Sequence, residues 1–495
     1  MGGQELWFRT VGNFRRVVIR MNDKGSDPQL NKALIDYFCC PDDIADFALR
    51  GDLCTGEGYF RLGPDLIGYG QSSLGYYAET PAKATCDLLY HVRTEGTTCY
   101  IPFNPSAVVD NLRCERYVGG AENSRWEAKP TTWVWETYYR IRPRLGVSIR
   151  KHLQRLWLRG WEKRHFPCWP VDRTVDQILE KLLVLSMKAN HVERVPFIWF
   201  WPDGHKSCAI LTHDVEEAGG VDFCPALMEI DESFGIKSSF QFIPEKRYSV
   251  PPGLMDLVRA KGFEVNVHDL NHDGYLYDHR DEFLRRAEKI NHYAKEYGAR
   301  GFRAGVLYRK LDWYDAFEFS YDMSVPNVGH LDPQVGGCCT VMPYFVGKVL
   351  ELPITTVQDY TLFNIFSDYS LDLWQRQIKL ITENHGLLSF NIHPDYSLER
   401  RARETYTALL SCLSRLRTQG DVWMALPREV DLWWRDRARM KITGEAGRWR
   451  IEGPGIERAR LAYACLAGDR ISYTFDAPAE EASGTSVGST SKPHI

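Results

Sequence analysis

The period of the hydrophobic positions changes along the chain, and the changes divide it. From Ser207 onward, short apolar runs alternate regularly with stretches of helical spacing. The runs fall at 208–211, 237–243, 263–267, 301–305, 321–326, 349–354, 387–392 and 421–426, and each predicts a buried strand. Between them, 225–234, 253–261, 280–297, 371–384 and 398–418 carry apolar residues on one helical face. Gly235, Gly262, Gly298, Gly386 and Gly420 follow these helices as stop signals. Strands that alternate with helices pair in parallel through helical crossovers. Seven or eight of them within about 230 residues predict a barrel of the (β/α) type rather than an open sheet. In such a barrel, chemistry gathers at the C-terminal ends of the strands.

The flanks lack this rhythm. Residues 1–140 mix strand-like runs (17–21 and 98–102) with short helical ones (28–38 and 82–89), which predicts a mixed α/β accessory domain. Residues 141–204 read as a helical connector. Its first part, 141–165, is strongly basic, with Ile149, Leu153, Leu156, Trp157 and Trp161 at helical spacing. Such a helix either packs between domains or makes a peripheral contact with an anionic membrane surface. The barrel is expected over 205–438, a small β appendage over 439–477, and a disordered tail over 478–495.

Composition excludes some partners. The 495 residues are too many for one core, and 44% hydrophobic with 25% charged residues is ordinary globular usage. A net charge of −4 gives no sign of nucleic-acid binding. No run reaches the roughly 18 apolar residues of a spanning helix. The N-terminus lacks the basic and apolar regions of a secretory signal. The 13 cysteines are scattered, with no C-x-x-C pair. These features predict a cytoplasmic protein with reduced thiols.

Four polar clusters stand at predicted strand ends. Thr212, His213, Asp214 and Glu216 close the first, where Asp214 and Glu216, two apart, point the same way on an extended chain. Two adjacent carboxylates repel unless a cation or proton lies between them. His268 and His272 follow the 263–267 strand, four apart, so a helical turn there would present both imidazoles on one face. Two imidazoles and a carboxylate make the ligand set of a catalytic divalent site for zinc or a similar ion. Arg303 ends another strand, where its fork of donors can hold a carboxylate. His393, at the end of 387–392, is a candidate general acid.

With these residues in place, 205–430 resembles the NodB-homology polysaccharide deacetylases, carbohydrate esterase family 4. The family's T-F-D-D corresponds to Thr212-His213-Asp214-Val215-Glu216, and its H-[ST]-x-x-H to His268-Asp269-Leu270-Asn271-His272. Its R-x-P-Y keeps only Arg303, and its L-x-I-H-P matches Phe390-Asn391-Ile392-His393-Pro394. The E-L-P-I segment is also typical, whereas the aspartate and tryptophan of the fourth motif find no clear counterpart. The resemblance implies a distorted (β/α)7-type barrel and a metal-dependent hydrolase that removes an N-acyl, most simply N-acetyl, group from an amino sugar. It implies Asp214 as base, Arg303 as the base's partner, His393 as general acid, and Glu216, His268 and His272 as ligands of Zn2+, with Mn2+, Co2+ or Ni2+ as alternatives. Because D-V-E replaces adjacent aspartates, the reverse assignment of Asp214 and Glu216 stays open. Loss of the proline and tyrosine of the third motif implies an altered acyl pocket.

The expected partner is a carbohydrate, lipid- or nucleotide-linked if the protein works in the cytoplasm on a glycan precursor. Two other readings stand beside this one. The first is an inactive barrel kept as a carbohydrate-binding or scaffold module. The second is an amidohydrolase of the same fold acting on a non-sugar amide.

Overall fold

A computed structural model describes residues 28–118, 158, 160–444 and 448–475, and the backbone alone at 5–10 and 13–18. Most of the basic 141–165 stretch and the 478–495 tail lie outside the described residues.

Nine strands form one curled sheet. In order they are Tyr344–Val346, Val349–Glu351, Tyr321–Asp322, Gly301–Arg303, Glu264–His268, Ser239–Phe242, Ser207–Val215 and Leu387–Ile392, with Val422–Met424 also on Ser207–Val215. All pairings are parallel except that of Tyr344–Val346 with Val349–Glu351. Every position of Ser207–Val215 is buried. A strand with helices on one side and a barrel interior on the other must be apolar on both faces, hence the unbroken run in the sequence. The architecture is an α/β curled half-barrel, in keeping with the (β/α) barrel expected from the alternation.

Its closure is distorted. Among the described residues, no strand ladder joins the 349–354 side to Leu387–Ile392. One long backbone bond, Thr356 N to Ser389 O (3.4 Å), and threonine hydroxyls do it instead: Thr355 Oγ1 donates to Leu387 O (2.6 Å), and Thr356 Oγ1 to Ser389 O (2.8 Å). Ser389 N returns a bond to Thr355 Oγ1 at 2.9 Å.

Several elements differ from expectation for local reasons. The 321–326 and 349–354 strands shorten to Tyr321–Asp322 and Val349–Glu351. Side chains take the next backbone donors there: Asp322 Oδ2 accepts from Ser324 N, and Glu351 Oε1 from Val325 N. The helix expected from residue 225 begins seven residues earlier, as Ala218–Ser233, with Pro225 inside it. The 82–89 helix is replaced by two short 3-10 turns, Pro81–Lys83 and Leu88–His91. By contrast, Arg280–Tyr297 matches to the residue, ended by Gly298 in the left-handed region (φ 59°).

The flanking segments are built together. Arg194–Ile198 pairs with Leu461–Ala467, which pairs with Arg470–Phe475, so the C-terminal strands complete a sheet begun before the barrel. Phe197, Phe200 and Trp201 in the connector, and Trp433 in helix Pro427–Arg439, share one apolar cluster with Phe38 of helix Pro28–Phe38. Buried Arg437 donates to the carbonyls of Tyr37 and Ile198, tying these pieces at one point. Trp161, the last apolar residue of the predicted basic helix, packs against Trp169 and Phe366. Among the described residues, no helix is long and apolar enough to cross a membrane. All thirteen cysteines are free.

Candidate metal and acid–base site

Four strand ends meet at one rim. Ser207–Val215 brings Asp214, and Glu216 follows one residue past its end. Glu264–His268 and Gly301–Arg303 run side by side, with His268 and Arg303 in register. Leu387–Ile392 carries Asn391, and His393 follows it.

Alternation sorts the first cluster. His213, between Thr212 and Asp214, turns to the opposite face. Its Nε2 lies 3.2 Å from Asp231 Oδ2, and its Nδ1 3.2 Å from Ile392 O. Asp231 also accepts bonds from Ser238 and Tyr406, each at 2.6 Å. His213 is therefore absent from the rim.

Asp214 faces inward. Its Oδ2 accepts from Asn391 Nδ2 at 2.8 Å and lies 3.4 Å from Arg303 Nη1. Arg303 is fully buried and spends its other arm on Thr212 Oγ1 at 3.0 Å, so the grip on the carboxylate is single-armed rather than bidentate. Asp214 Oδ1 is buried and has no hydrogen-bond partner among the described residues. Burial would raise this carboxyl, but Arg303, with His268 and His393, outweighs it and holds the group below the usual carboxylate range.

Glu216 sits among three imidazoles. Its Oε1 is 3.0 Å from His272 Nε2, 3.8 Å from His268 Nε2 and 3.7 Å from His393 Nε2. The ligand atoms of Glu216, His268 and His272 all lie within 4.8 Å of one another. His268 Nδ1 lies 3.2 Å from Arg303 O, a carbonyl that only a ring N–H can serve, so Nε2 is left with its lone pair toward the cluster. That Nε2 is buried without a partner among the described residues, and His272 Nε2 approaches Glu216 without hydrogen-bond geometry. Two buried imidazole nitrogens and a carboxylate oxygen thus converge with acceptor capacity unspent. This donor set fits a divalent cation. Burial opposes the Glu216 charge, but His272 and His268 outweigh it and hold the carboxyl well below its usual range. Burial likewise disfavours the His272 cation, yet Glu216 raises that imidazole.

The two histidines do not meet through a helical turn, as the spacing suggested. No helix follows His268. Asp269 and His272 instead take left-handed backbone angles (φ 55° and 53°), which fold the loop back and bring the rings to 4.9 Å. Gly305 makes room: a Cβ there would stand 2.3 Å from Asp269 Oδ2 and 3.1 Å from His272 Cδ2.

His393 has a partner that the sequence reading missed. Its Nδ1 lies 2.6 Å from Asp359 Oδ1, and its backbone N donates to Asp359 Oδ2 at 2.7 Å. Burial would lower the imidazole, but the Asp359 carboxylate dominates and pushes it up to about 10. In the chain, Asp359 is one acid in T-V-Q-D-Y, with no spacing that singles it out. Asn391 was more accessible to reasoning, because it stands two before His393 as Asp214 does before Glu216. Asp395 also escaped notice. Its carboxylate accepts from Glu216 N (3.2 Å) and Gly220 N (2.8 Å), setting the turn that carries Glu216. The Glu216 side chain is 23% exposed and that of His268 only 1%, so the cluster opens to solvent on the Glu216 side.

No protein-family model matches the chain. No curated protein sequence matches it either. The chain superposes in part on solved structures. One, from Mycobacterium smegmatis and described as a polysaccharide deacetylase, has 18% identity and a TM-score of 0.40, covering 48% of this chain and 93% of that one. A second, a mutant CE4-family pseudoenzyme with restored activity, has 15% identity and a TM-score of 0.31, covering 46% and 68%. A third, PuuE allantoinase, has 12% identity and a TM-score of 0.34, covering 47% and 92%. At these values the superpositions decide nothing about chemistry.

Proposed function

We propose that this protein is a metal-dependent hydrolase that removes an N-acyl group, most simply acetyl, from an amino sugar. The observation that carries the proposal is the separation of the two carboxylates. Glu216 shares its space with His268 and His272, while Asp214 is gripped by Arg303 and Asn391 with one oxygen unspent. The N2O set suits zinc, with manganese, cobalt or nickel as alternatives. When bound, such an ion polarises the acyl carbonyl and lowers the pKa of a water.

The chain's own groups do the rest. Asp214, kept ionised by Arg303, accepts a proton from the attacking water at Oδ1. Arg303 and Asn391 hold the carboxylate in place while it does so. His393, kept protonated by Asp359, gives its proton to the departing nitrogen. The amide C–N bond breaks, and a carboxylate and a free amine result. A glycan precursor linked to a nucleotide or lipid, handled in the cytoplasm, is the substrate class we favour. Contact of the basic 141–165 stretch with a membrane would serve a lipid-linked sugar.

The test is acyl release from free, nucleotide-linked and lipid-linked N-acetylhexosamines by protein loaded with each metal. Asp214→Asn should cost about 10²–10⁴-fold in kcat with metal retained, and Glu216→Gln should lose the metal. The opposite pattern would exchange the two roles. Binding of none of the four metals would leave the inactive-barrel reading. Turnover of ring or open-chain amides alone would move the proposal to a non-sugar substrate.

A further inference from the structure

The turn that follows Arg303 is unusual in its backbone and in what holds it. Val306 and Leu307 both have positive φ (60° and 55°). For a β-branched residue this is a costly conformation that persists only where surroundings impose it. The turn presses Gly305 against Asp269 and His272, where no side chain would fit. Within the turn, only two long backbone bonds of 3.3 Å, from Leu307 N to Ala304 O and from Tyr308 N to Gly305 O, oppose the strain.

Two constraints act on it. Gln334, within the barrel, holds the Arg309 backbone, accepting from its N at 3.1 Å and donating to its O at 3.2 Å, and the second comes from outside the barrel. Arg309 Nη1 donates to Leu307 O at 2.8 Å. Its Nε and Nη2 grip Glu115, 194 residues earlier, at 2.6 and 2.5 Å. The pair is buried, with side-chain exposures of 0% for Arg309 and 5% for Glu115. Glu115 is held in turn: Gly337 N donates to its Oε1 at 2.6 Å, and a Cβ on Gly336 would come within 2.5 Å of that oxygen. Tyr117 OH donates to Gly337 O at 2.7 Å, a second tie between the same two segments. A bidentate guanidinium–carboxylate pair fixes direction as well as distance. The Leu307 carbonyl is therefore set by a residue of the N-terminal segment.

We propose that Glu115 is a positioning residue for the metal-site loop: through Arg309 it locks the 304–309 turn, which in turn seats His272. The N-terminal segment then acts as part of the catalytic framework and not as an appended module. The catalytic consequence rests on the function proposed above, but the positioning itself does not.

Hydrogen exchange and cobalt binding on the full chain test it without any substrate. In Glu115→Gln, amide exchange over 304–310 should rise severalfold while exchange over 387–392 stays unchanged. Co2+ affinity should fall about 10–100-fold, the range for groups that orient metal ligands. Arg309→Lys, which keeps the charge and loses the fork, should move both readouts the same way, and it carries the test if Glu115→Gln does not fold. The double variant Glu115→Gln/Arg309→Gln removes the uncompensated charge, so it should regain thermal stability and still bind Co2+ weakly. Unchanged exchange at 304–310, a rise spread evenly over the barrel, or normal Co2+ binding in the double variant would overturn the proposal. A wild-type protein that binds Co2+ but releases no acyl group would sink the proposed function and leave this result standing.

Discussion

Two histidine–carboxylate clusters lie on opposite faces of one strand, and what separates them chemically is saturation. Behind the strand, His213 and Asp231 are saturated: both ring nitrogens and both carboxylate oxygens have partners. In front, His268 Nε2, His272 Nε2 and Asp214 Oδ1 are buried with acceptor capacity unspent. An unmade bond in a buried setting costs about 1–3 kcal/mol per group. The front cluster tolerates several together, as expected where a cation and a water complete the set. A buried histidine beside a carboxylate is common to both clusters, and saturation tells them apart.

The largest expected contrast comes from replacing one histidine in each. His268→Gln should reduce Zn2+ affinity by more than about 100-fold, beyond the range for outer-shell changes, and cost the metal-free protein only about 1 kcal/mol, because the lost donor to Arg303 O is offset by removal of the unpaired Nε2. His213→Gln should leave Zn2+ affinity intact and cost about 2–3 kcal/mol of stability in a denaturant titration, because Asp231 loses a buried partner. Loss of metal with stability kept in His213→Gln would collapse the distinction.

A smaller effect concerns proton supply. Asp359→Asn should release His393 from about 10 toward the ordinary value of about 6.5. The alkaline limb of kcat should then fall to lower pH. A bound cation shifts both proteins alike, so the wild-type-to-variant difference is the measurement. Coincident limbs would remove His393 as the acid.

The same raised imidazole makes the metal-free protein sensitive to base. A group whose pKa is higher folded than unfolded stabilises the fold at low pH, and that stabilisation fades as pH rises from about 6.5 to about 10. Metal-free wild type should lose stability across this window, and Asp359→Asn should show a flatter profile. The smallest effect is expected for Asp395→Asn, which weakens the acceptor of Glu216 N and Gly220 N. It should cost about 1 kcal/mol, as loss of a cap does, with metal affinity lowered only modestly.

Much of this site was legible in the chain because barrel strands are buried on both faces and break abruptly into polar residues. The runs ending at Asp214, His268, Arg303 and His393 all show that break, and the structure brings all four ends to one rim. Asp359 was not legible. It sits in a loop whose only relation to His393 is spatial, and a lone acid in a loop is ordinary. The D-V-E spacing placed both carboxylates on one side, yet which would meet the histidines depended on a loop folded by left-handed Asp269 and His272.

By itself, the sequence determined the alternation of strands and helices, the extents of Arg280–Tyr297 and Leu387–Ile392, and the identities of the rim residues. These follow from local periodicity, which a chain carries in its own order. Tertiary structure alone decided that threonines draw the barrel shut and that the C-terminal strands join Arg194–Ile198. It alone turned His213 to Asp231, gave His393 its Asp359, and set Glu115 against the turn beside His272. Each of these is a contact between residues far apart in the chain, made where burial leaves a polar group no other partner.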